Sequence, residues 1–290
     1  MRRASTVRRL VEQVSVSGDG ARRERTDVLA TEEPLEIRVV RAVDARGGPV
    51  DAAAVPVSVT MRTPGADFEL AAGFLYSEGL IDGPASVTAV RYCTGGEQQY
   101  NVVNVVLAPG AAFDPAALQR NFHQTSSCGV CGKASIEGVM GGACARVESA
   151  LSVSPDVLVT LPETLRAAQA VFERTGGLHA AGLFTAEGEL LRVREDVGRH
   201  NALDKLVGAS LLAGELPWRE RIVMASGRLS FELVQKAARA GAAVLAGVSA
   251  PSSLAVELAE ACGLTLCGFV RGERFNVYAG GARIAPAVHR

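Results

Sequence analysis

Two cysteines three positions apart are the residues in this sequence best suited to chemistry. Cys128 and Cys131 lie within residues 126–132, which read SSCGVCG. A Cys-x-x-Cys pair serves as half of a zinc site, as a dithiol redox pair, or as a nucleophile with a helper thiol. Because the serine and glycine flanks favour a mobile, exposed loop, the function of the chain depends largely on which of these three uses applies.

The flanking sequence favours a mobile nucleophile. A four-ligand zinc site needs two further ligands nearby, and only Cys144 and His123 are available, at irregular spacing. A redox pair of the thioredoxin type usually begins a helix after a strand, and no clear strand precedes residue 126. An exposed thiol beside the cationic Lys133 instead suits attack on a sulfane sulfur and delivery of that sulfur to a second site.

Polar residues also cluster in the second half of the chain, where strands and helices are predicted to meet. The candidate ligand-binding side chains are those of His179, Arg199, His200, Arg228, Arg271 and Arg274, with Gly227 and Gly272 beside them. In an α/β fold, ligands bind at loops that follow the carboxyl ends of strands. Arginines and glycines at such loops suit phosphate groups, so we expect one composite pocket for a large anionic ligand.

Each of these clusters also has a purely structural interpretation. His179 follows a Gly-Gly helix stop and could be satisfied locally at that helix end. Residues 194–205 are rich in charge, and Asp196 and Asp204 could pair with the neighbouring cations on a helix face. Residues 269–278 could form a charged hairpin tip. The sequence alone leaves these alternatives open.

Two other functions compete with sulfur transfer. Zinc-dependent deaminases place His-x-Glu at a helix start and Pro-Cys-x-x-Cys further along the chain. Here Ala181 stands at the glutamate position after His179, and no Pro-Cys-x-x-Cys follows. Deaminase chemistry is therefore disfavoured, even for a chain that shares the deaminase fold. The second alternative is a non-enzymatic chaperone that binds the large anionic ligand, in which the thiols are structural.

The predicted elements divide the chain into four parts. We expect a disordered, arginine-rich arm over residues 1–30 and a strand-rich subdomain over residues 31–122. Residues 123–150 hold the cysteine loop and are expected to form a mobile linker. Residues 151–285 alternate strands with helices, among them a helix over residues 162–174. This alternation predicts a three-layer α/β domain with a largely parallel sheet.

The composition is that of a soluble globular chain without an overall charge bias. The 290 residues carry a formal net charge of −1, and no apolar run reaches the length of a membrane span, so neither nucleic acid nor a membrane is an expected partner. The N-terminus lacks the apolar segment of a secretory signal, and six cysteines are too few for a disulfide framework. We expect a cytoplasmic protein in which Cys93, Cys262 and Cys267 pack in the core.

Taken together, these motifs resemble those of the formate dehydrogenase accessory sulfurtransferases, the FdhD family. The resemblance rests on residues 127–132, 175–179, 196–205, 226–228 and 269–278, which occur in the family's order. It implies a cytidine-deaminase-like α/β domain with a smaller N-terminal part, assembled as a homodimer. It also implies that persulfide sulfur passes from a cysteine desulfurase to the molybdenum bis(molybdopterin guanine dinucleotide) cofactor, which formate dehydrogenase requires.

Roles for individual residues follow from the same resemblance. Cys128 is expected to carry the persulfide, and Cys131 is the second thiol of the loop. The expected cofactor-binding residues are Phe269, Val270, Arg271, Gly272, Glu273, Arg274, Gly227, Arg228, His179, Arg199 and His200. The molybdenum cofactor is expected as a bound substrate, and no permanent metal is expected.

Overall fold

The structure is a computed structural model that describes residues 4–16, 22–41, 54–93, 100–113 and 146–286. Cys128 and Cys131 and most of the predicted linker lie outside the described residues.

The N-terminal residues differ from the disordered arm expected over residues 1–30. Strand β1 (Thr6–Val14) pairs antiparallel with β2 (Arg22–Ala30) along its whole length. The β-branched residues of β1, among them Val7, Val11 and Val14, favour a strand, and Arg22 forms a cross-strand ion pair with Glu12 at 3.1 Å. Within the described residues, the two strands form a sheet of their own.

A four-stranded sheet follows the N-terminal hairpin. It consists of β3 (Glu33–Val40), β4 (Val55–Arg62), β5 (Val87–Tyr92) and β6 (Val102–Leu107), in the order β4-β3-β6-β5. Only the β3–β6 pairing is parallel. Every second residue of β3 from Leu35 to Val39 is fully buried, as expected of a strand with one face on the core. Helix α1 (Asp67–Ser77) packs beside this sheet.

The remainder of the described chain forms a six-stranded sheet with helices on both faces. Its elements are α2 (Pro155–Ala167), α3 (Ala170–Thr175), β7 (His179–Phe184), β8 (Leu190–Asp196), α4 (Arg199–Leu212), β9 (Ile222–Ala225), α5 (Phe231–Arg239), β10 (Val244–Gly247), α6 (Ser253–Cys262), β11 (Thr265–Arg271) and β12 (Arg274–Ala279). The strand order is β12-β11-β10-β9-β7-β8. Short 3-10 turns cover Pro84–Ser86 and Gly281–Arg283.

The prediction of a largely parallel sheet is wrong for the outer strands. Only β9, β10 and β11 run parallel, whereas the β7–β8, β7–β9 and β11–β12 pairings are antiparallel. The physical reason is loop length, because a parallel pair needs a crossover of a dozen or more residues. The turn at Gly188, with φ of +87°, and the turn at Gly272, with φ of +56°, are too short for a crossover.

The helix expected over residues 162–174 is also differently placed. Helix α2 begins at Pro155, where the Ser154 hydroxyl caps it by accepting a hydrogen bond from the Asp156 amide at 3.3 Å. The helical segment then breaks at Gln169, and α3 follows as a separate short helix. Serine at the cap and proline at the first helical position are the usual start pattern, so Pro162 lies inside α2 rather than at its beginning.

The helices and sheets pack in the layers of an α/β fold. Apolar residues from α2 cover one face of the six-stranded sheet. Helices α4, α5 and α6 cover the other face, in a core that continues through α1 to the four-stranded sheet. The predicted fold class is therefore confirmed, while the domain boundaries stay a prediction. No helix in the described ranges is long and apolar enough to cross a membrane.

Helices α1 and α4 cross at two glycines. A Cβ atom at Gly73 would lie 1.8 Å from the Asp204 carbonyl oxygen, and one at Gly208 would lie 1.8 Å from the Glu69 carbonyl oxygen. Only glycine leaves room for backbone contact at this distance. This crossing fixes the four-stranded sheet and its helix against the layer that carries the candidate site.

Candidate functional site at the sheet edge

The loops after β9, β10 and β11 are joined to one another by backbone hydrogen bonds. The Leu229 amide donates to the Ala250 carbonyl at 3.1 Å, and the Ser252 amide donates to the Leu229 carbonyl at 3.0 Å. The Phe269 amide donates to the Ser249 carbonyl at 3.2 Å. The carboxyl ends of the three parallel strands therefore form one continuous edge, as the general rule for α/β proteins predicts.

His179 lies at this edge because β7 runs antiparallel to β9, with Ala181 paired to Ala225. The start of β7 is thus beside the end of β9. A Cβ atom at Gly227 would meet the His179 Nδ1 atom at 3.3 Å and the Arg199 Cδ atom at 3.9 Å. The absence of a side chain at Gly227 lets these two residues approach the same point, as predicted for a composite site.

The electrostatic environment of His179 disfavours its protonation. Burial is the largest cause of a lowered pKa for the His179 imidazole, and the nearby positive charges of Arg199 and His200 lower it further. The Asp196 carboxylate acts in the opposite direction with a smaller effect. His179 is therefore a neutral hydrogen-bonding group near neutral pH, whereas Arg199 supplies positive charge.

A cavity of about 870 Å³ opens beside these residues. Helices α2 and α3 form one wall, and the opposite wall includes His179, Ser226 and Val248. The wall from the helices is mostly apolar and includes Phe172, whose ring lies 4.3 Å from the Arg166 guanidinium carbon. An apolar cavity with polar groups at one side is typical of small-molecule sites.

The charge-rich residues 194–205 divide between the site and the core. Arg199 and His200 begin α4 at the sheet edge. Lys205, the last residue of the same stretch, is instead buried, and its Nζ atom lies 2.6 Å from the Asp196 carboxylate. The structural interpretation is confirmed for Lys205, because a helix repeats every 3.6 residues and turns it to the opposite side from residues 199 and 200.

The Asp196 carboxylate also ties the two sheets together. It accepts hydrogen bonds from the amides of Thr63 at 3.1 Å and Gly198 at 2.9 Å, and from the Asn201 side chain at 3.0 Å. Asn201 in turn donates to the Met61 carbonyl at 2.7 Å. A buried carboxylate satisfied by a cation and three donors is a structural centre, and it holds the start of α4 against the end of β4.

The second aspartate of this stretch is structural as well. Asp204 lies 2.9 Å from Lys236 on α5, which also pairs with Glu78 at 3.1 Å. Burial opposes the charge on Lys236, but Asp204 and Glu78 outweigh it and raise the pKa of the lysine. The prediction that these aspartates pair with neighbouring cations of the same stretch is therefore confirmed for Asp196, whereas Asp204 pairs with Lys236 on another helix.

The remaining predicted ligand residues differ in their placement. Arg228 is exposed beside Gly227. Phe269 adopts a φ of +52° at the sheet edge, and the guanidinium of Arg271 lies 5.5 Å from its ring. Val270 is fully buried in the core on the α2 side, so its side chain is unavailable to a ligand at this edge. The side-chain role expected of Val270 is therefore corrected.

Residues 271–274 form the tip of the β11–β12 hairpin and are exposed. The charged hairpin tip that was the structural alternative for residues 269–278 is therefore present. An exposed tip is still compatible with ligand binding, because it continues directly from Phe269 at the sheet edge. In the described residues, no contact joins Arg271 or Arg274 of this tip to His179.

The sequence reasoning missed two acidic residues near the site. His200 Nε2 lies 3.0 Å from the Ser230 hydroxyl and 3.5 Å from the Glu232 carboxylate. Glu195 accepts hydrogen bonds from the amides of Val171 and Phe172 at 3.0 and 2.7 Å, and so fixes the cavity wall. The serine and glutamate at the start of α5 were a visible helix-start pattern, but their contact with His200 depends on the tertiary fold.

The structure offers no support for a metal at His179. In the described ranges, no group of three or more histidine, cysteine, aspartate or glutamate side chains could hold a metal ion. The groups beside His179 are instead a guanidinium and a second imidazole. Positive charge from Arg199 next to the ring would oppose the binding of a dication there.

The fold and the sheet-edge geometry define an α/β protein whose candidate ligand site is built from strand-end loops. The chain matches the FdhD/NarQ family model over residues 32–285. It is 53% identical over 273 residues to the sulfur carrier protein FdhD of Streptomyces avermitilis, with 92% of each chain covered. The sulfur carrier protein FdhD of Mycobacterium tuberculosis is 48% identical over 274 residues, covering 90% of this chain and 92% of that protein.

A solved structure shows the same fold. The crystal structure of a protein assigned as a formate dehydrogenase accessory protein from Desulfotalea psychrophila superimposes with a TM-score of 0.70 and 23% identity. The match covers 97% of this chain and 99% of that one. This chain is a member of the FdhD/NarQ family.

Proposed function

We propose that this protein is a cytoplasmic sulfur carrier that accepts persulfide sulfur on Cys128 and delivers it to a molybdenum cofactor. The donor is a cysteine desulfurase, and the acceptor is the molybdenum bis(molybdopterin guanine dinucleotide) that formate dehydrogenase requires. Membership of a family whose relatives are named sulfur carrier proteins carries this proposal. The predicted homodimer belongs to the same proposal.

The distribution of cysteines supports Cys128 as the carrier. Cys262 and Cys267 are buried in the core as predicted, and burial raises the pKa of the Cys267 thiol to about 12. A protonated, enclosed thiol neither attacks a sulfane sulfur nor reaches an acceptor. Cys93 is partly buried at the end of a strand. The Cys-x-x-Cys pair, flanked by serine and glycine, remains the best candidate for an accessible thiolate.

The sheet edge supports the second half of the proposal, an anionic cofactor. In the described part of the chain, no acceptor reaches the buried Nε atom of Arg199. A buried donor without a partner is costly, and a phosphate oxygen would satisfy it. Gly227 places no side chain between Arg199 and His179, and the adjacent cavity can hold an aromatic base. These features suit one guanine nucleotide of the cofactor.

Sulfur loading tests the carrier half directly. The full chain is incubated with a cysteine desulfurase and cysteine and then examined by intact-mass and peptide mass spectrometry. We expect an added mass of about 32 Da, one sulfur atom, on the peptide that contains Cys128. Cys128→Ala should abolish this adduct, and Cys144→Ala is the matched control that should keep it. A persistent adduct at the same level in Cys128→Ala would refute the assignment.

Complementation separates the proposal from its alternatives. A strain that lacks its own sulfur carrier is supplied with the wild-type chain, Cys128→Ala or Cys144→Ala, and formate dehydrogenase activity is measured. A non-enzymatic chaperone predicts full activity with Cys128→Ala, whereas the sulfur carrier predicts loss. A zinc-dependent deaminase predicts stoichiometric zinc in the purified chain that is lost in His179→Ala. Elemental analysis of both proteins decides that point.

A further inference from the structure

Gln169 is a buried polar residue in the wall of the cavity beside the sheet edge. It lies at the break between α2 and α3, is 3% exposed, and lines the cavity of about 870 Å³. It directly precedes α3, yet its side chain forms no capping hydrogen bond to that helix. Among the described residues, no other donor or acceptor bonds this side-chain amide. The amide is therefore available to a molecule in the cavity.

The local fold does not need the Gln169 side chain. The first amides of α3 are already satisfied, because the Glu195 carboxylate accepts hydrogen bonds from Val171 at 3.0 Å and from Phe172 at 2.7 Å. The backbone amide of Gln169 donates to the Arg166 carbonyl at 3.2 Å, so backbone contacts hold the break between the helices. A buried polar group without a partner is costly, and a polar ligand group would remove that cost.

The same wall of the cavity holds a hydrogen-bond acceptor and an aromatic ring. Glu163, Arg166 and Ala167 of α2 all line the cavity, since residues three and four apart lie on one face of a helix. The Glu163 carboxylate is exposed and forms no ion pair with any described residue. Phe172 adds a ring on which a heterocycle can stack. A planar ligand in this cavity thus meets an amide, a carboxylate and an aromatic ring.

Guanine and pterin share a polar edge that suits this combination of groups. On that edge a ring carbonyl accepts a hydrogen bond, while the adjacent ring N–H and amino group donate. A glutamine amide can donate to the carbonyl, and a carboxylate can accept from the two donors. Adenine has an amino donor in place of the carbonyl and a bare ring nitrogen in place of the N–H. Adenine therefore mismatches both protein groups.

We propose that Gln169 determines which heterocycle the cavity accepts: its Nε2 amide donates to the ring carbonyl of guanine or pterin, and Glu163 accepts from the adjacent N–H and amino groups. This inference rests on the proposed function, because the proposed cofactor carries both heterocycles. His179 lines the same cavity and approaches Gly227 together with Arg199. A base against the α2–α3 wall can therefore direct its phosphate toward the arginine at the sheet edge.

Binding of GDP and ADP to the full chain, measured by calorimetry, tests this proposal. We expect the wild type to bind GDP at least about tenfold more tightly than ADP, because ADP leaves the buried amide without an acceptor. Gln169→Leu keeps a similar volume and removes the amide, so it should bind GDP about tenfold more weakly and lose most of the preference over ADP. Gln13→Leu makes the same chemical change at an exposed position of β1 and should leave both affinities unchanged.

Two further variants separate recognition of the heterocycle from structural support of the cavity. Gln169→Glu replaces the donor by an acceptor, so it should weaken GDP binding, strengthen ADP binding and reverse the preference. Glu163→Gln should also shift the preference toward ADP, because it removes the acceptor for the N–H and amino groups. Circular dichroism checks that each variant is folded. Loss of GDP and ADP affinity by the same factor in both Gln169 variants would overturn the proposal, because a merely structural role predicts that result.

Neopterin, a pterin without a nucleotide, distinguishes the two sources of the shared edge. Binding of GDP that depends on Gln169, without binding of neopterin, assigns the cavity to the guanine end of the cofactor, and the opposite result assigns it to the pterin end. A wild-type chain that binds neither probe would overturn this inference. The proposed function is then decided separately, because the sulfur adduct on Cys128 is measured without any nucleotide or pterin.

Discussion

Replacing Lys205 by methionine should strongly destabilise the protein. The Lys205 side chain is 2% exposed and the Asp196 side chain is fully buried, with 2.6 Å between Nζ and the carboxylate. Lys205 also donates to the Thr63 carbonyl at 2.8 Å and the Glu195 carbonyl at 3.3 Å. Methionine fills similar volume but leaves a buried carboxylate without its counter-charge, which costs about 3–5 kcal/mol.

Three donors remain on Asp196 after this substitution, so the lower end of that range applies. We expect a loss of about 3 kcal/mol, which lowers the urea midpoint by about 1 M for a slope of about 3 kcal/mol/M. Unfolding is followed by circular dichroism at neutral pH. Glu215→Gln is the control: it removes the 49% exposed partner of an ion pair with Arg192 at 2.7 Å, and should cost less than about 1 kcal/mol.

The double variant Asp196→Asn with Lys205→Met completes a double-mutant cycle with the two single variants. Removing both charges together should recover at least about 1 kcal/mol relative to the sum of the single losses, because the second substitution removes the unpaired charge left by the first. A loss under about 1 kcal/mol in Lys205→Met, or strict additivity in the double variant, would refute the view that this pair is a coupled buried centre.

Three further predictions follow from particular contacts. Gly208→Ala should destabilise the fold by about 2 kcal/mol or more, because the new Cβ atom would lie 1.8 Å from the Glu69 carbonyl and force α1 and α4 apart; Gly177→Ala, where the nearest atom is at 3.7 Å, is the control in the same urea assay. The wild type should lose stability as the pH falls below about 6.5, because the lowered pKa of His179 in the folded state makes protonation unfavourable there. His179→Asn should not show this loss. Equal urea midpoints for both proteins from about pH 7.5 to 5 would contradict this expectation. The Cys267 thiol should resist iodoacetamide in the native protein at pH 8 and react only after unfolding, since burial raises its pKa to about 12; peptide mass spectrometry measures both states, and rapid native labelling would show that the strand opens.

Local sequence patterns predicted most of the elements correctly. The alternation in β4 and the apolar run of β9 are visible in any short window of the sequence, and strands do alternate with helices across residues 151–285 as expected. The N-terminal hairpin was missed because five arginines among its strand residues gave the segment the composition of a charged, disordered arm. The Ser154–Pro155 start of α2 was present in the sequence, but the later Pro162 was interpreted as the helix start instead.

The candidate site was predictable in its residue types and less so in its geometry. His179 and Gly227 are far apart in sequence and meet only because β7 inserts antiparallel beside β9. No local pattern encodes that pairing. Likewise, charge alone could not separate Arg199, at the site, from Lys205, in the core, because that division depends on which side of α4 the four-stranded sheet covers.

The start of α4 is where the structural and functional residues meet. Asp196 binds the Thr63 amide on one side and Lys205 on the other, so the backbone that leads into Arg199 and His200 is fixed at both ends. The four-stranded sheet contributes no predicted ligand residue, yet its contact with Asp196 determines where Arg199 and His200 lie. A site that must bind a charged ligand benefits from such rigidity, because cations held in place beforehand lose little entropy on binding. The buried network is therefore the physical reason that the strand-rich N-terminal part and the α/β part are fixed to each other beside the candidate site.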